Sequence, residues 1–138
     1  MQELIESGQF LTLSRRQPEL FERAQQFTLA NGTDVSITAP GIISFSVQPT
    51  SFPNKRIVLS CGVHGNETAP IEICDDLVKG ILTGAMTLAH DVLFLFGNLP
   101  AMDIAERFVE ENMNRLFSGA HSKGCLLYTS DAADERTC

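Results

Sequence analysis

The sequence predicts an α/β fold, a small antiparallel meander followed by a β–α–β unit of a mixed sheet. Three observations point that way. Asn31-Gly32 and Pro40-Gly41 punctuate the apolar-rich runs between residues 26 and 48. Two short runs, Arg56 to Cys61 and Val92 to Phe96, are nearly all apolar. Between those runs, Cys74, Leu77, Val78, Ile81 and Leu82 fall at the i, i+3, i+4, i+7, i+8 spacing of one helix face.

Residues 1 to 23 carry Pro18 and the polar pair Arg15-Arg16 and show only weak helical patterning. Phe27-Thr28-Leu29 and Val35-Ser36-Ile37 flank Asn31-Gly32, a strong short-range hairpin signal because both residues tolerate positive φ. Pro40-Gly41 makes a second turn before Ile42 to Val47, and Pro49 and Pro53 mark the way out of the meander. The run Arg56 to Cys61 is expected as a strand covered on both faces. A helix follows from about Pro70 to Leu82. Pro70 suits the first helical position, and Glu72, Asp75 and Asp76 complement the positive end of the helix dipole. Val92 to Phe96 reads as the second strand, with a turn at Gly97-Asn98-Leu99-Pro100 and a further helical stretch from about Ala101 to Val109. Strand, helix, strand implies a right-handed crossover onto a parallel pair. Ligands in such sheets bind beyond the carboxyl ends of the strands, where His64, Glu67 and Asn98 fall.

The 138 residues suffice for one domain, read as a β-rich lead-in over 1–55 and the start of a catalytic domain over 56–123. Ten basic against 17 acidic side chains leave a net charge of −7, which argues against a nucleic-acid or anionic-membrane surface. The acidic start Met1-Gln2-Glu3-Leu4-Ile5-Glu6 lacks the basic and long apolar regions of a signal peptide, and no apolar run approaches the roughly 20 residues of a membrane span. A cytoplasmic protein is the expectation. Four cysteines, at 61, 74, 125 and 138, show no C-x-x-C spacing; Cys61 and Cys74 read as small core residues. The tail Gly124 to Cys138, with Cys125-Leu126-Leu127-Tyr128-Thr129-Ser130, continues no earlier pattern and reads as non-native, adapter-like sequence.

The chemistry concentrates in His64-Gly65-Asn66-Glu67. Neutral imidazole and carboxylate are both good zinc ligands, yet a catalytic zinc takes three protein ligands. On these residues alone, a surface loop stands beside the metal reading. The order Gly62-Val63-His64-Gly65-Asn66-Glu67-Thr68-Ala69-Pro70-Ile71-Glu72, then Gly97-Asn98-Leu99-Pro100-Ala101, then Asn112-Met113-Asn114-Arg115-Leu116-Phe117 resembles the succinylglutamate desuccinylase and aspartoacylase family, relatives of the zinc carboxypeptidases. The resemblance spans roughly Arg56 to Phe117.

It implies a zinc-carboxypeptidase-like fold, incomplete here, and one Zn2+ held by His64 and Glu67. It also implies that Asn114 and Arg115 bind the carboxylate end of a substrate, which suits a guanidinium beside an amide. Arg107 matches a family arginine that binds or polarises substrate; an exposed helical arginine is its alternative. Asn112 stands where the family often has aspartate. The implied reaction is hydrolysis of the amide of a small N-acyl amino acid, N-succinylglutamate in arginine catabolism. Aspartoacylase-like or carboxypeptidase-type hydrolysis is the alternative within enzymes, and a non-catalytic carboxylate-binding module is the alternative outside them. The family's third zinc ligand and its general-base glutamate lie on later strands, and no catalytic base is assigned in this chain. His90 precedes the second strand and so belongs at the opposite end of the sheet; His121 abuts the tail, and Glu110 and Glu111 match no family base. The chain is therefore expected to be an inactive N-terminal fragment. Nothing in the sequence addresses its oligomeric state.

Overall fold

A computed structural model describes residues 1–50 and 52–109. The predicted helix at Ala101 to Val109 and the meander are described; Glu110, Glu111, Asn112, Asn114, Arg115, His121 and the proposed non-native segment 124–138 lie outside the described residues.

The N-terminal stretch is more helical than its sequence pattern shows. Helix α1 spans Gln2–Ser7, α2 spans Phe10–Arg16, and a 3-10 turn follows over Pro18–Phe21. Each is too short to repeat an apolar face, and each is held by packing rather than by propensity. Leu4, Phe10, Leu11 and Phe21 are buried, and the Phe10 ring meets those of Phe21 and Phe96 at centroid distances of 5.3 and 6.3 Å.

The meander forms as expected from strands β1 (Gln25–Thr28), β2 (Asp34–Ala39) and β3 (Ile42–Ser46), paired antiparallel. Gly32 and Gly41 take φ of 88° and 79° at its two turns. Strand β4 (Arg56–Cys61), helix α3 (Thr68–Leu82) and strand β5 (Asp91–Phe96) make the β–α–β unit, with β4 and β5 parallel and adjacent. Strand β3 pairs antiparallel with β5, so the meander and the β–α–β unit share one mixed sheet in the order β1-β2-β3-β5-β4. A short helix α4 (Leu99–Asp103) follows β5.

One sheet face carries Val35, Ile37, Ile43, Phe45, Val92, Phe94 and Phe96, all buried, and the helices cover it through Leu4, Phe10, Ile71, Val78, Ile81 and Leu82. The other face differs from the expectation of a strand covered on both sides. In β4, Arg56, Val58 and Ser60 on that face are exposed, Val58 at 59%, and Ile57 on the covered face is exposed as well. Its register neighbour Leu93 is half-buried. The all-apolar run is compatible with burial on both faces, but β4 is the last strand of the sheet among the described residues and helices cover one side of it.

Two details of α3 depart from the sequence pattern. The helix begins at Thr68, with Glu67 as its N-cap residue, so Pro70 occupies the third helical position rather than the first. That position suits proline because its missing N–H has no partner within the helix. The predicted helix beyond Ala101 ends at Asp103, and Ala105 follows with φ of 53°, a left-handed value that breaks the helical path.

Candidate metal-binding and substrate site

Strand β4 ends at Cys61, and Gly62 turns the chain with φ of 70°. Gly62 accepts from the Asn98 N–H at 2.7 Å, and the Gly97 N–H donates to the Cys61 carbonyl at 2.8 Å, which joins the two strand ends. A side chain at Gly97 would meet Gly62 O and Val63 N at 3.1 and 3.3 Å. The two loops therefore run backbone to backbone.

His64 lies next in this turn, 7% exposed, and its carbonyl accepts from the Glu67 N–H at 3.3 Å. The imidazole Nδ1 and the Glu67 Oε1 are 2.7 Å apart, with the histidine side chain buried and the glutamate side chain 57% exposed. Glu67 sits at the N-cap position of α3, but its carboxylate does not cap the helix; it turns to the imidazole instead. Loop closure thus brings the two predicted metal ligands together at the carboxyl end of β4, where an open α/β sheet places its ligands.

Gly65 makes that closure possible. A Cβ there would stand 2.5 Å from both Ala101 O and Met102 N, so the loop lies directly on the backbone of α4. The Gly65 N–H donates to the Arg107 carbonyl at 3.2 Å. Arg107 is thereby tied through its backbone beside the His64–Glu67 loop, and the residue is exposed. Asn98, which the sequence places at a turn, caps α4 by accepting from the Ala101 N–H at 3.1 Å. His90 lies at the far end of the sheet, where Nδ1 accepts from the Lys55 N–H at 3.2 Å.

The donor chemistry fits two positions of a zinc site. Ligands each about 2.0–2.1 Å from a tetrahedral ion lie roughly 3.3 Å apart, so His64 Nδ1 and Glu67 Oε1 would open by about 0.6 Å to share one. The exposed glutamate has room for that movement. Among the described residues, no group of three or more His, Cys, Asp or Glu side chains is placed to hold a metal. The described residues thus supply two of the donors that such a site would need.

Behind the loop, the Cys61 thiol is pushed up to about 12, chiefly by burial, with the Cys74 thiol and the Asp75 carboxylate acting in the same direction. Such a thiol stays protonated at neutral pH and is a core residue, as its sequence context indicates. Asp75 is raised above the usual carboxylate range by burial and by Asp76, while Lys79 and Arg15 oppose the rise. Sequence reasoning did not single out Arg15 or Met102 at this site. Met102 packs its side chain where a Gly62 Cβ would go, and no spacing along the chain signals that contact.

A mixed sheet with a His-x-x-Glu turn at one strand end and a glycine-joined neighbouring loop defines the class. The chain belongs to the family described as the succinylglutamate desuccinylase/aspartoacylase catalytic domain, which residues 53–137 match. Among curated relatives it is similar to a succinylglutamate desuccinylase of Pseudoalteromonas atlantica, 62% identical over 119 residues, covering 86% of this chain and 33% of that protein. A succinylglutamate desuccinylase of Shewanella woodyi is 48% identical over 124 residues, covering 90% of this chain and 35% of that protein. The fold matches the crystal structure of the succinylglutamate desuccinylase from Chromobacterium violaceum, with a TM-score of 0.74 and 34% identity over 94% of this chain and 39% of that one. It also matches that from Vibrio parahaemolyticus, with a TM-score of 0.68 and 32% identity over 78% of this chain and 36% of that one. The chain spans about a third of the length of the curated relatives it matches.

Proposed function

We propose that this chain carries the front edge of a zinc-dependent amidohydrolase site. The substrate is a small N-acyl amino acid, N-succinylglutamate foremost, hydrolysed to succinate and glutamate in the cytoplasmic catabolism of arginine. The observation that carries this reading is the 2.7 Å approach of His64 Nδ1 and Glu67 Oε1 at the carboxyl end of β4, in a chain that belongs to this family. The desuccinylase name of the relatives given above favours that branch over aspartoacylase-like hydrolysis.

His64 and Glu67 would hold the metal, with a third ligand outside the described residues. Zinc, when bound, supplies Lewis acidity that polarises a carbonyl and brings the pKa of water toward about 7. The burial of His64 fixes its ring, and the exposure of Glu67 leaves the front of the pair open to substrate. Arg107, tied through its carbonyl to Gly65, is in reach of the same loop and is assigned to substrate binding or to the developing oxyanion. Asn114 and Arg115 are assigned to the substrate carboxylate, on the family resemblance of their motif. The general-base glutamate is expected beyond this chain, so the 138 residues alone are not expected to turn over substrate.

The test uses a protein extended to the length of the relatives, purified with zinc and assayed for glutamate released from N-succinylglutamate. His64→Ala and Glu67→Ala should each lose stoichiometric zinc and reduce turnover by roughly a thousandfold or more, as loss of a metal-based catalyst requires. Full zinc occupancy in both variants, or turnover of peptides in preference to N-succinylglutamate, would refute the assignment.

A further inference from the structure

Building on that reading of His64 and Glu67, we propose that Arg15 is a positioning residue for the site. From helix α2, outside the family-matched region, it holds α4 and, through α4, the loop bearing the metal ligands. Its Nε donates to Asp103 Oδ1 at 2.7 Å, and its Nη2 donates to the Met102 carbonyl at 3.2 Å. One guanidinium thus binds both the last side chain of α4 and the Met102 carbonyl, which also accepts from the Ala105 N–H at 3.2 Å where the helix ends. The same charge lies near enough to Asp75 on α3 to favour its ionised form.

Helix α4 has five residues and cannot hold its own shape, so its two ends must be fixed from outside. Asn98 fixes the first end and Arg15 the second. The backbone of α4 is also the surface on which the loop rests. Gly65 rests on Ala101 and Met102, the Met102 side chain fills the space beside Gly62, and the Glu106 N–H donates to the Ala101 carbonyl at 3.0 Å. The Gly65 N–H then holds the Arg107 carbonyl. A shift of α4 therefore moves the metal loop and the Arg107 segment together.

The Arg15 and Asp103 side chains are 34% and 47% exposed. An ion pair that open to water adds little to global stability. Its consequence is local, because errors on the order of 1 Å in a site matter far more than the pair's own energy.

The experiment is amide hydrogen exchange by NMR on the 138-residue chain and its Arg15→Ala and Arg15→Lys variants, followed by titration with Zn2+ alone. In Arg15→Ala, the Gly65 and Glu106 amides should exchange roughly fivefold faster or more, while amides of the interior strand β5 keep their wild-type rates. Arg15→Lys, which keeps the charge but not the two-pronged donor, should fall between. The Zn2+ response at His64 and Glu67 should weaken at least about threefold in Arg15→Ala. Unchanged Gly65 exchange overturns the proposal, and so does equal acceleration across β5, which would make Arg15 a general stabiliser. If the protein extended to the length of the relatives also takes up no Zn2+ while Gly65 exchange still rises in Arg15→Ala, the metal assignment fails and the Arg15 coupling to the loop stands.

Discussion

Gly65→Ala is the sharpest perturbation of the candidate site. The added Cβ would lie 2.5 Å from Ala101 O and 2.5 Å from Met102 N, both backbone atoms of a helix end and neither able to swing aside. The Ala101 carbonyl carbon would be closer still, at 2.2 Å, and ordinary contact begins near 3.4 Å, so the loop and α4 would have to part by about 1.2 Å. Overpacking of this kind typically costs about 1–3 kcal/mol. The separation also stretches the Gly65 N–H to Arg107 carbonyl bond, now 3.2 Å, past a useful hydrogen-bond length. We expect a stability loss of about 2 kcal/mol, read as a urea midpoint lowered by roughly 1 M at an ordinary m-value. The His64 and Glu67 resonances should move while those of β1 and β2 stay put. Gly32 provides the contrast, since no atom lies within 4 Å of its Cβ position; Gly32→Ala meets only the cost of positive φ. If Gly65→Ala unfolds within about 0.5 kcal/mol of the parent and leaves the His64 resonances in place, the close contact between loop and α4 is wrong.

Phe94→Ala should be more damaging still, by about 3–5 kcal/mol in denaturant melts. Phe94 is 1% exposed in the interior strand β5 and meets Phe45 edge-on at 5.9 Å, so a loss under 1 kcal/mol would show that this is not the core. Asp75→Asn tests a pH dependence. The folded state raises the Asp75 pKa, so protonation favours folding below the unfolded value near 3.8, and that benefit is lost as pH rises through the folded value. Asp75→Asn should therefore be more stable than the parent at pH 7, with the gain shrinking to nothing below pH 3.8; a variant that loses stability at pH 7 contradicts the cause assigned to the shift. Cys61, its thiol pushed up to about 12 by burial, should resist iodoacetamide at pH 8 until denaturant is added. Rapid labelling of the native chain at Cys61, mapped by mass spectrometry, would count against its burial.

How far the sequence predicts this molecule differs from element to element. The turn residues at Asn31-Gly32 and Pro40-Gly41 encode the meander locally, because each requires a backbone conformation few other residues tolerate. Helix α3 is legible because its 15 residues repeat one buried face long enough to show a period. Helices α1 and α2, of six and seven residues, are too short for that, and they exist because Leu4, Phe10 and Leu11 join the core, where both helices pack against α3 and Phe10 meets Phe96 of β5. The stretch after Ala101 carried a helical expectation that ends at Asp103, where left-handed Ala105 breaks the helical path.

The candidate site divides along the same line. His64 and Glu67 are three residues apart, so their meeting is a property of one loop and could be anticipated from residue types and spacing. The glycine at position 65 marked the turn, but its reason is tertiary: it must lie against Ala101 and Met102, 36 and 37 residues later. Arg15 left no signal at all, since its partners Met102 and Asp103 are 87 and 88 residues away. The sequence by itself determined the turns, the long amphipathic helix and the two candidate ligands from patterns within a few residues, and the parallel pair from the crossover that a strand–helix–strand run implies. Only the tertiary structure decided that β4 carries an exposed face, that the His64–Glu67 loop rests on a five-residue helix, and that an N-terminal arginine holds that helix. Those outcomes depend on which surfaces meet after the chain folds back on itself, and local patterning carries no record of the partner.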